Sequence, residues 1–377
     1  MSTSELAFFT AAGLICYTYA FYPVAIWLLA KLRPAAPAPL LPDEALPAVT
    51  AVIAAHNEES RVLNRLNNLR ALNYPQDRLH VIFVSDGSTD RTAEVLRGHA
   101  NVEVIAYPER KGKAHAINTA LLTVKTPVVL FCDVRQEASP DALRALVSTL
   151  MQPGNGAVSG ELVHRTPGTQ VAANIGLYWR YEKWIRRSES QARSVVGATG
   201  AFYAIRTALF RPLEPGTLLD DFETPMQIVA QGHAVRFDAR AEVFDDLQTE
   251  MAGERKRKLR TLGGNFQSFA RHPWLFMPWR NPIWIEFVSH KVLRLAVPYA
   301  MAVALASSLC AGAAWLQALG LLQLVFYGAA LAGMNSTLAR RNRLVAFAAV
   351  FVELNWTALQ AGVQFATGRL DTRWDKT

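Results

Sequence analysis

The residues of this chain best suited to chemistry stand at the ends of apolar runs. VTAVIAA (49–55) stops at His56-Asn57-Glu58-Glu59, VIFV (81–84) at Ser85-Asp86-Gly87-Ser88, and PVVLFC (127–132) at Asp133. A carboxylate beside a glycine, as in Asp86-Gly87, can approach a sugar or a base closely because no Cβ intervenes. One or two carboxylates also suffice for magnesium when substrate phosphates supply its other ligands, which suits Asp133. Further on, Asp220 and Asp221 are adjacent. Neighbouring acids raise one another's pKa, so one of such a pair makes a good proton acceptor. Lys113, in RKGK, falls at the start of a helical pattern, where backbone N–H groups also favour anions. Plainer readings stand beside these: Asp86 as the corner of an Asp-Gly turn, Glu58 as the first acid of a helix, Asp220 and Asp221 as a helix cap, and 110–113 as a solvated basic loop.

Only particular elements bring such residues to one place. Apolar runs without alternation suit strands buried on both faces of a parallel sheet, and ligands bind at the carboxyl edge of such sheets. Helical spacing over 58–72 and 89–98 alternates with the runs, which is a βαβ pattern. A short strand over 102–106 and a helix over 113–122 follow. Ser139-Pro140-Asp141 opens a helix that reaches 150, with serine at the cap and proline in the first turn. Residues 174–190 place Tyr178, Trp179, Tyr181, Trp184 and Ile185 among arginines and lysines, an amphipathic helix. Three strands that each finish on acids or amides predict one polar cleft along a sheet edge.

AAHNEE, VSDGSTD, ERKGKAHAIN, FCDVRQ, GATGAFYAIR and LLDDFETPMQIVAQG stand in the order found in family 2 glycosyltransferases. Over 47–267 the chain resembles these inverting enzymes, which include cellulose, hyaluronan and poly-N-acetylglucosamine synthases. The resemblance implies an α/β fold: a GT-A nucleotide-sugar-binding domain with a mostly parallel sheet, plus transmembrane helices at both ends. It places Asp221 at the end of the family's Thr-Glu-Asp motif as general base, with Asp220 beside it. For the donor it implies Asp86 on the nucleotide base with Glu58 alongside, Lys113 and Arg260 at the diphosphate, and Asp133 as the ligand of Mg2+ or Mn2+. Gly200, Ala201 and Phe202 fall in the acceptor-side loop, where a plain hairpin turn is the other reading. Two departures matter. The second acid of Asp-x-Asp is Arg135, which cannot ligate a cation and so leaves Asp133 alone or supplies positive charge itself. The Gln-x-x-Arg-Trp motif reads Arg257-Lys258-Leu259-Arg260-Thr261, and Thr261 stands where processive synthases stack a tryptophan on the acceptor sugar; the alternative readings are a non-processive transferase to a polyprenyl-phosphate carrier and a catalytically silent subunit of a polysaccharide export complex.

Composition fits a membrane enzyme. The chain has 377 residues, 51% of them hydrophobic, and a mean hydropathy of +0.11, with the excess at the two ends. Cys16, Cys132 and Cys310 are too few for a disulfide framework or zinc cluster. The net charge of +8 suits nucleic acid, anionic lipid or a phosphorylated substrate, and no nucleic-acid-binding motif accompanies it; the resemblance implies as partners a nucleotide sugar, expected to be a UDP-sugar, a saccharide or lipid-linked acceptor and membrane lipid, not nucleic acid. Oligomer or export-complex partners are also open. Residues 6–30 are apolar and about long enough to span a bilayer, for which ~20 residues suffice. Lys31 and Arg33 follow, so the positive-inside rule puts that end in the cytoplasm. Hydropathy together with the resemblance implies a transmembrane anchor over 1–33, a proline-rich linker over 34–47, a cytoplasmic GT-A domain over 48–264, an interfacial amphipathic segment over 265–290, and a C-terminal transmembrane region of about three spans over 291–377. That last region carries runs at 292–316, 318–334 and 344–366, with Glu353 and Asn355 inside the third. The whole is expected in the inner (plasma) membrane, as a multi-pass protein.

Overall fold

A computed structural model describes residues 1–33, 36–165, 170–246, 251–336 and 338–370. Pro34 of the linker and residues 371–377 of the C-terminal region lie outside the described residues, as do the side chains of Tyr178 and of 253–256. The first strands form as the apolar runs require. β1 (Val49–Ala55) is buried at every position, and β2 (Leu79–Asp86) and β4 (Val128–Cys132) nearly so. β1 pairs in parallel with both β2 and β4, and β2 in parallel with β3 (Val102–Tyr107). The second half of the sheet is not parallel. β7 (Phe202–Arg206) runs antiparallel to both β4 and β6 (Asn155–Arg165). β6 lies parallel to β8 (Ala234–Asp246), and β8 antiparallel to the short β5 (Glu137–Ala138). The order is β3-β2-β1-β4-β7-β6-β8-β5, a mixed eight-stranded sheet.

Successive strand residues point to opposite faces, and here each face meets its own core. Val49, Ala51, Ile53, Phe83 and Leu130 pack with Val62, Leu66 and Leu69 of α3 (Glu59–Arg70) and with Leu143 and Leu146 of α6 (Ala142–Leu150). Val52, Ile82, Val84, Val129 and Phe131 pack on the other side with Ala116, Ile117 and Ala120 of α5 (Lys113–Leu121). Phe222, Met226 and Val229 of α8 (Asp220–Ala230) join that second core. The expected helix over 89–98 shortens to α4 (Thr92–Leu96) because the 88–91 turn is held by Asn57, whose Oδ1 accepts from the Thr89 and Asp90 N–H groups.

Among the described residues, four helices are long and apolar enough to cross a membrane: Thr3–Lys31, Trp284–Leu309, Ala314–Asn335 and Arg343–Ala366. The first consists of α1 (Thr3–Cys16), a π-helical turn and α2 (Tyr22–Lys31). α2 packs on α7 (Gln170–Ala192) through Tyr22, Ile26, Ala30, Ile185 and Ala192. Arg257, Lys258 and Arg260 belong to α9 (Met251–Arg271), which precedes α10 (Trp284–Phe287), a second π-helical turn and α11 (Leu293–Leu309). The expected boundaries over 265–290 and 292–316 therefore need correction. The helix begins at Trp284 inside the expected interfacial segment, and it stops at Leu309, where residues 310–313 turn before α12 (Ala314–Asn335). Cys310, Ala311, Gly312 and Ala313 are as apolar as a span, so hydropathy passes over the turn. α13 (Arg343–Ala366) is continuous through Glu353 and Asn355; Asn355 is buried and donates to the Phe351 carbonyl at 2.9 Å.

Candidate active site

The carboxyl ends of β1 and β4, the start of α8, and helices α7, α9, α11 and α13 enclose a cavity of about 490 Å3. Glu58, Lys113, Asp133, Gly200, Ala201, Asp221, Arg260 and Thr261 all line it. Residues as much as 203 positions apart in sequence thus share one space, as the strand-end acids predicted.

Lys113 is its electrostatic centre. Gly112, with φ +90°, turns the chain into α5, and Lys113 is the first residue of that helix. Its Nζ lies 3.1 Å from Asp133 Oδ1 and 3.1 Å from Asp220 Oδ2. Burial alone would lower the lysine's pKa, but Asp133, Asp220 and Asp221 together hold it above the ordinary lysine range. Asp220 is buried and does not reach the cavity wall. Asp221 does. Leu219 takes the cap position of α8, so neither acid caps the helix by its side chain; both lie in the first turn. The Gly200 N–H donates to Asp221 Oδ2 at 3.1 Å, and a Cβ on Gly200 would stand 2.9 Å from that oxygen. Burial, then the charge of Asp220, pushes the Asp221 carboxyl up to about 6 against the pull of Lys113 and Lys291.

Asp133 keeps its second oxygen without a protein partner among the described residues, and its side chain is 39% exposed to the cavity. One free carboxylate oxygen beside space for a diphosphate fits a divalent cation completed by phosphate oxygens and water. No group of three or more His, Cys, Asp or Glu side chains able to hold a metal occurs among the described residues. Arg135 points away from this role: its Nη2 donates to Asp245 Oδ2 at 2.7 Å on the cavity wall.

Two expected site residues are placed elsewhere. Phe202 is fully buried in β7, within the core and over the Arg65 guanidinium at 5.8 Å, so it is corrected from acceptor contact to core residue. Asp86 is also fully buried, and its two oxygens accept from the Lys111 and Gly112 N–H groups at 2.7 and 2.8 Å. It fixes the loop that launches Lys113. Gly87, with φ +60°, lets that loop pass: a Cβ there would be 2.5 Å from the Arg110 nitrogen. Glu58 lines the cavity but pairs with Arg61 at 3.2 Å. Arg260 also lines the cavity, with its buried Nε lacking a hydrogen-bond partner among the described residues. Its helix is seated by Gln267, which accepts from the Leu218 N–H and donates to the Gly216 carbonyl, each at 3.0 Å.

Sequence reasoning missed another part of the cavity lining: Glu182 and Arg186 of α7, His290 and Lys291 of the π-helical turn, Arg294 of α11 and Asp245 of β8. The available signal was two basic residues, Lys291 and Arg294, one turn apart at the head of an apolar run.

Residues 50–213 match the family model of glycosyl transferase family 2. A probable glycosyltransferase, YdaM of Bacillus subtilis (strain 168), is 28% identical over 205 residues, 51% of this chain and 49% of that protein. Poly-beta-1,6-N-acetyl-D-glucosamine synthase of Staphylococcus aureus (strain COL) is 21% identical over 241 residues, 60% of this chain and 56% of that protein. The chain thus spans about half the length of these curated relatives. Among solved structures, a mannosyltransferase from Pyrobaculum calidifontis in complex with GDP-Man and Mn2+ superposes with a TM-score of 0.71 at 24% identity, over 95% of this chain and 98% of that one. That likeness shows the fold: a GT-A-like α/β domain on a mixed sheet.

Proposed function

From the family 2 glycosyltransferase domain over residues 50–213, we propose a membrane-bound, inverting hexosyl transfer from a UDP-sugar to a lipid-linked or growing saccharide acceptor. The single observation that carries this reading is the convergence of Asp221, Lys113, Asp133 and Arg260 on one cavity. Asp221 takes the proton of the acceptor hydroxyl. The acceptor oxygen attacks the anomeric carbon on the face opposite the diphosphate, the C1–O bond to the diphosphate breaks, and its electron pair leaves with the nucleotide. One displacement inverts the configuration. The transition state resembles an oxocarbenium ion, as in glycoside hydrolysis, and positive charge placed for the departing oxygens stabilises it.

Lys113, fixed between Asp133 and Asp220, and Arg260, which has no carboxylate partner among the described residues, supply that charge. Asp133 would hold Mg2+ or Mn2+, which adds charge neutralisation on the diphosphate. Gly200 holds Asp221 Oδ2 in place, and Ala201 and Thr261 border the acceptor. Asp86 acts on the donor through the 110–112 loop that it secures. The curated relatives include synthases of an N-acetylglucosamine polymer, which supports a UDP-sugar donor. Catalysis on a nucleotide sugar also requires the cavity to face the cytoplasm, with residues 1–33 and 291–377 holding the domain on the inner membrane and 34–47 linking it.

Asp221→Asn tests the mechanism. A general base contributes roughly 10²–10⁴-fold, so UDP release in nanodiscs is expected to fall by that factor with UDP affinity kept. Unchanged turnover removes Asp221 as base, and release of GDP in place of UDP across a donor panel overturns the donor.

A further inference from the structure

A chain of buried polar contacts joins the N-terminal helix to the cavity. The Tyr22 hydroxyl of α2 donates to Glu189 Oε1 at 2.6 Å, and His290 Nδ1 lies 2.7 Å from the same oxygen. On the other side of the ring, His290 Nε2 lies 2.9 Å from Glu182 Oε1. Imidazole carries a nitrogen on each side, which lets one side chain bridge two carboxylates. Glu182 also pairs with Arg294 at 2.6 Å and with Arg186 at 3.4 Å. Burial alone would raise the Glu182 carboxyl, but Arg294, then His290 and Arg186, hold it well below the ordinary carboxylate range. Arg186 Nη1 in turn donates to Thr199 Oγ1 at 3.0 Å. The loop that contains Thr199 grips Asp221 twice: the Ala198 N–H donates to its carbonyl at 2.7 Å, and the Gly200 N–H to its Oδ2 at 3.1 Å.

Tyr22, Glu182, Glu189 and His290 are all buried. Buried charges and hydroxyls are costly unless paired, so each member of such a row fixes the next. The row also runs between two π-helical turns, Tyr17–Phe21 just before Tyr22 and Val288–Val292 around His290. These turns touch through Tyr17 Oη and Ser289 Oγ at 2.9 Å, and π turns inside α-helices gather at functional sites. Glu182, Arg186, Thr199 and His290 line the cavity, whereas Tyr22 and Glu189 do not. The outer pair can therefore reach the reaction only through the inner ones.

We propose that His290 is a positioning residue of the transfer: backed by Glu189 and Tyr22, it holds Glu182 and Arg186 so that the Thr199–Gly200 loop aims the Asp221 carboxylate, and it thereby couples α2 to the proposed base. The role in transfer rests on the transferase reading; the coupling of α2 to the loop does not.

The test uses the full chain in nanodiscs and compares wild type with Tyr22→Phe, Glu189→Gln, His290→Gln and Thr199→Val, and with Tyr22→Phe and Glu189→Gln each combined with Thr199→Val. Amide hydrogen exchange is followed in peptides covering 196–204 and, as a control, 49–55 of β1, beside UDP and GDP affinity and nucleotide release from a panel of UDP- and GDP-sugars. Tyr22→Phe removes one hydroxyl and no charge, and is expected to speed exchange over 196–204 and to slow release at least threefold. Glu189→Gln and His290→Gln should do both at least tenfold, with nucleotide affinity and β1 exchange within twofold of wild type. In the Thr199→Val background the Arg186 link is already gone, so neither outer variant should slow release more than twofold further.

Independent, multiplying losses in the double variants, or exchange that rises equally in β1, mean a general loss of stability and overturn the proposal. So does unchanged exchange over 196–204 in Tyr22→Phe, which decides the matter where Glu189→Gln or His290→Gln fails to fold. A loss confined to His290→Gln means that His290 touches the substrate itself, and overturns the positioning role. A wild type that releases no nucleotide from any donor sinks the transferase reading, while faster exchange over 196–204 in Tyr22→Phe still upholds the coupling.

Discussion

Asp221 shows how much a single carboxylate owes to its surroundings. With its pKa pushed up to about 6 by burial and Asp220, the proposed base is ionised above that pH and protonated below it. The expected profile of kcat/KM therefore falls tenfold per unit as pH drops below about 6, and a flat profile from pH 5 to 8 would exclude this group. The stability consequence has the opposite sign. Folding raises this carboxyl from an unfolded value near ~3.9, so its favourable contribution is complete below that value and is lost as pH rises through about 6. Asp221→Asn should accordingly melt at a higher temperature than wild type at pH 7.5 while turning over roughly 10²–10⁴-fold more slowly. Asp86 behaves differently, because its oxygens are both taken by backbone N–H groups. Asp86→Asn leaves at least one buried N–H facing an amide that cannot accept, a loss of about 1–3 kcal/mol. A drop in Tm should accompany any rise in donor KM; a rise in KM with Tm unchanged would return Asp86 to direct donor contact.

At the scale of elements, the strands were legible and the seating of α9 was not. Unbroken apolar runs have one economical solution, a doubly covered strand, and β1, β2 and β4 adopt it. The close approach of α9 to the loop before Asp220 depends on Gly264, where a Cβ would stand 2.5 Å from Leu219 Cγ. Gly264→Ala should displace Leu219 and with it the first turn of α8. Turnover is expected to fall at least tenfold, with nucleotide affinity within threefold, in steady-state kinetics beside equilibrium binding. Phe202 illustrates the reverse error: position within a motif suggested a contact, whereas alternation along β7 turns its ring into the core.

On the scale of the whole molecule, α11 and α13, two of the helices long and apolar enough to cross a membrane, are also walls of the cavity. α1 packs on α11 through Ala11, Ala300 and Ala304, and α2 on α7. The proposed orientation puts Lys31 and the catalytic domain in the cytoplasm and the 310–313 turn on the far side. Cys310 is exposed at that turn and Cys132 is buried. A membrane-impermeant maleimide added outside intact cells should therefore label Cys310, and Cys310→Ser should abolish the labelling. Protection of Cys310 in intact cells with labelling only after lysis reverses the orientation.

The order of apolar runs, acids and glycines along the chain was enough to determine the α/β domain, the sheet-edge cleft and most of its acids, because strand burial and side-chain alternation are local consequences of residue type. Only the tertiary structure decided which acid faces the cavity and which is spent on a loop. It also decided that the cavity is closed by α7, α11 and α13 and lined there by Arg186, Lys291 and Arg294. Those contacts join segments more than a hundred residues apart, and a periodicity read along one segment carries no information about the face that another will present to it.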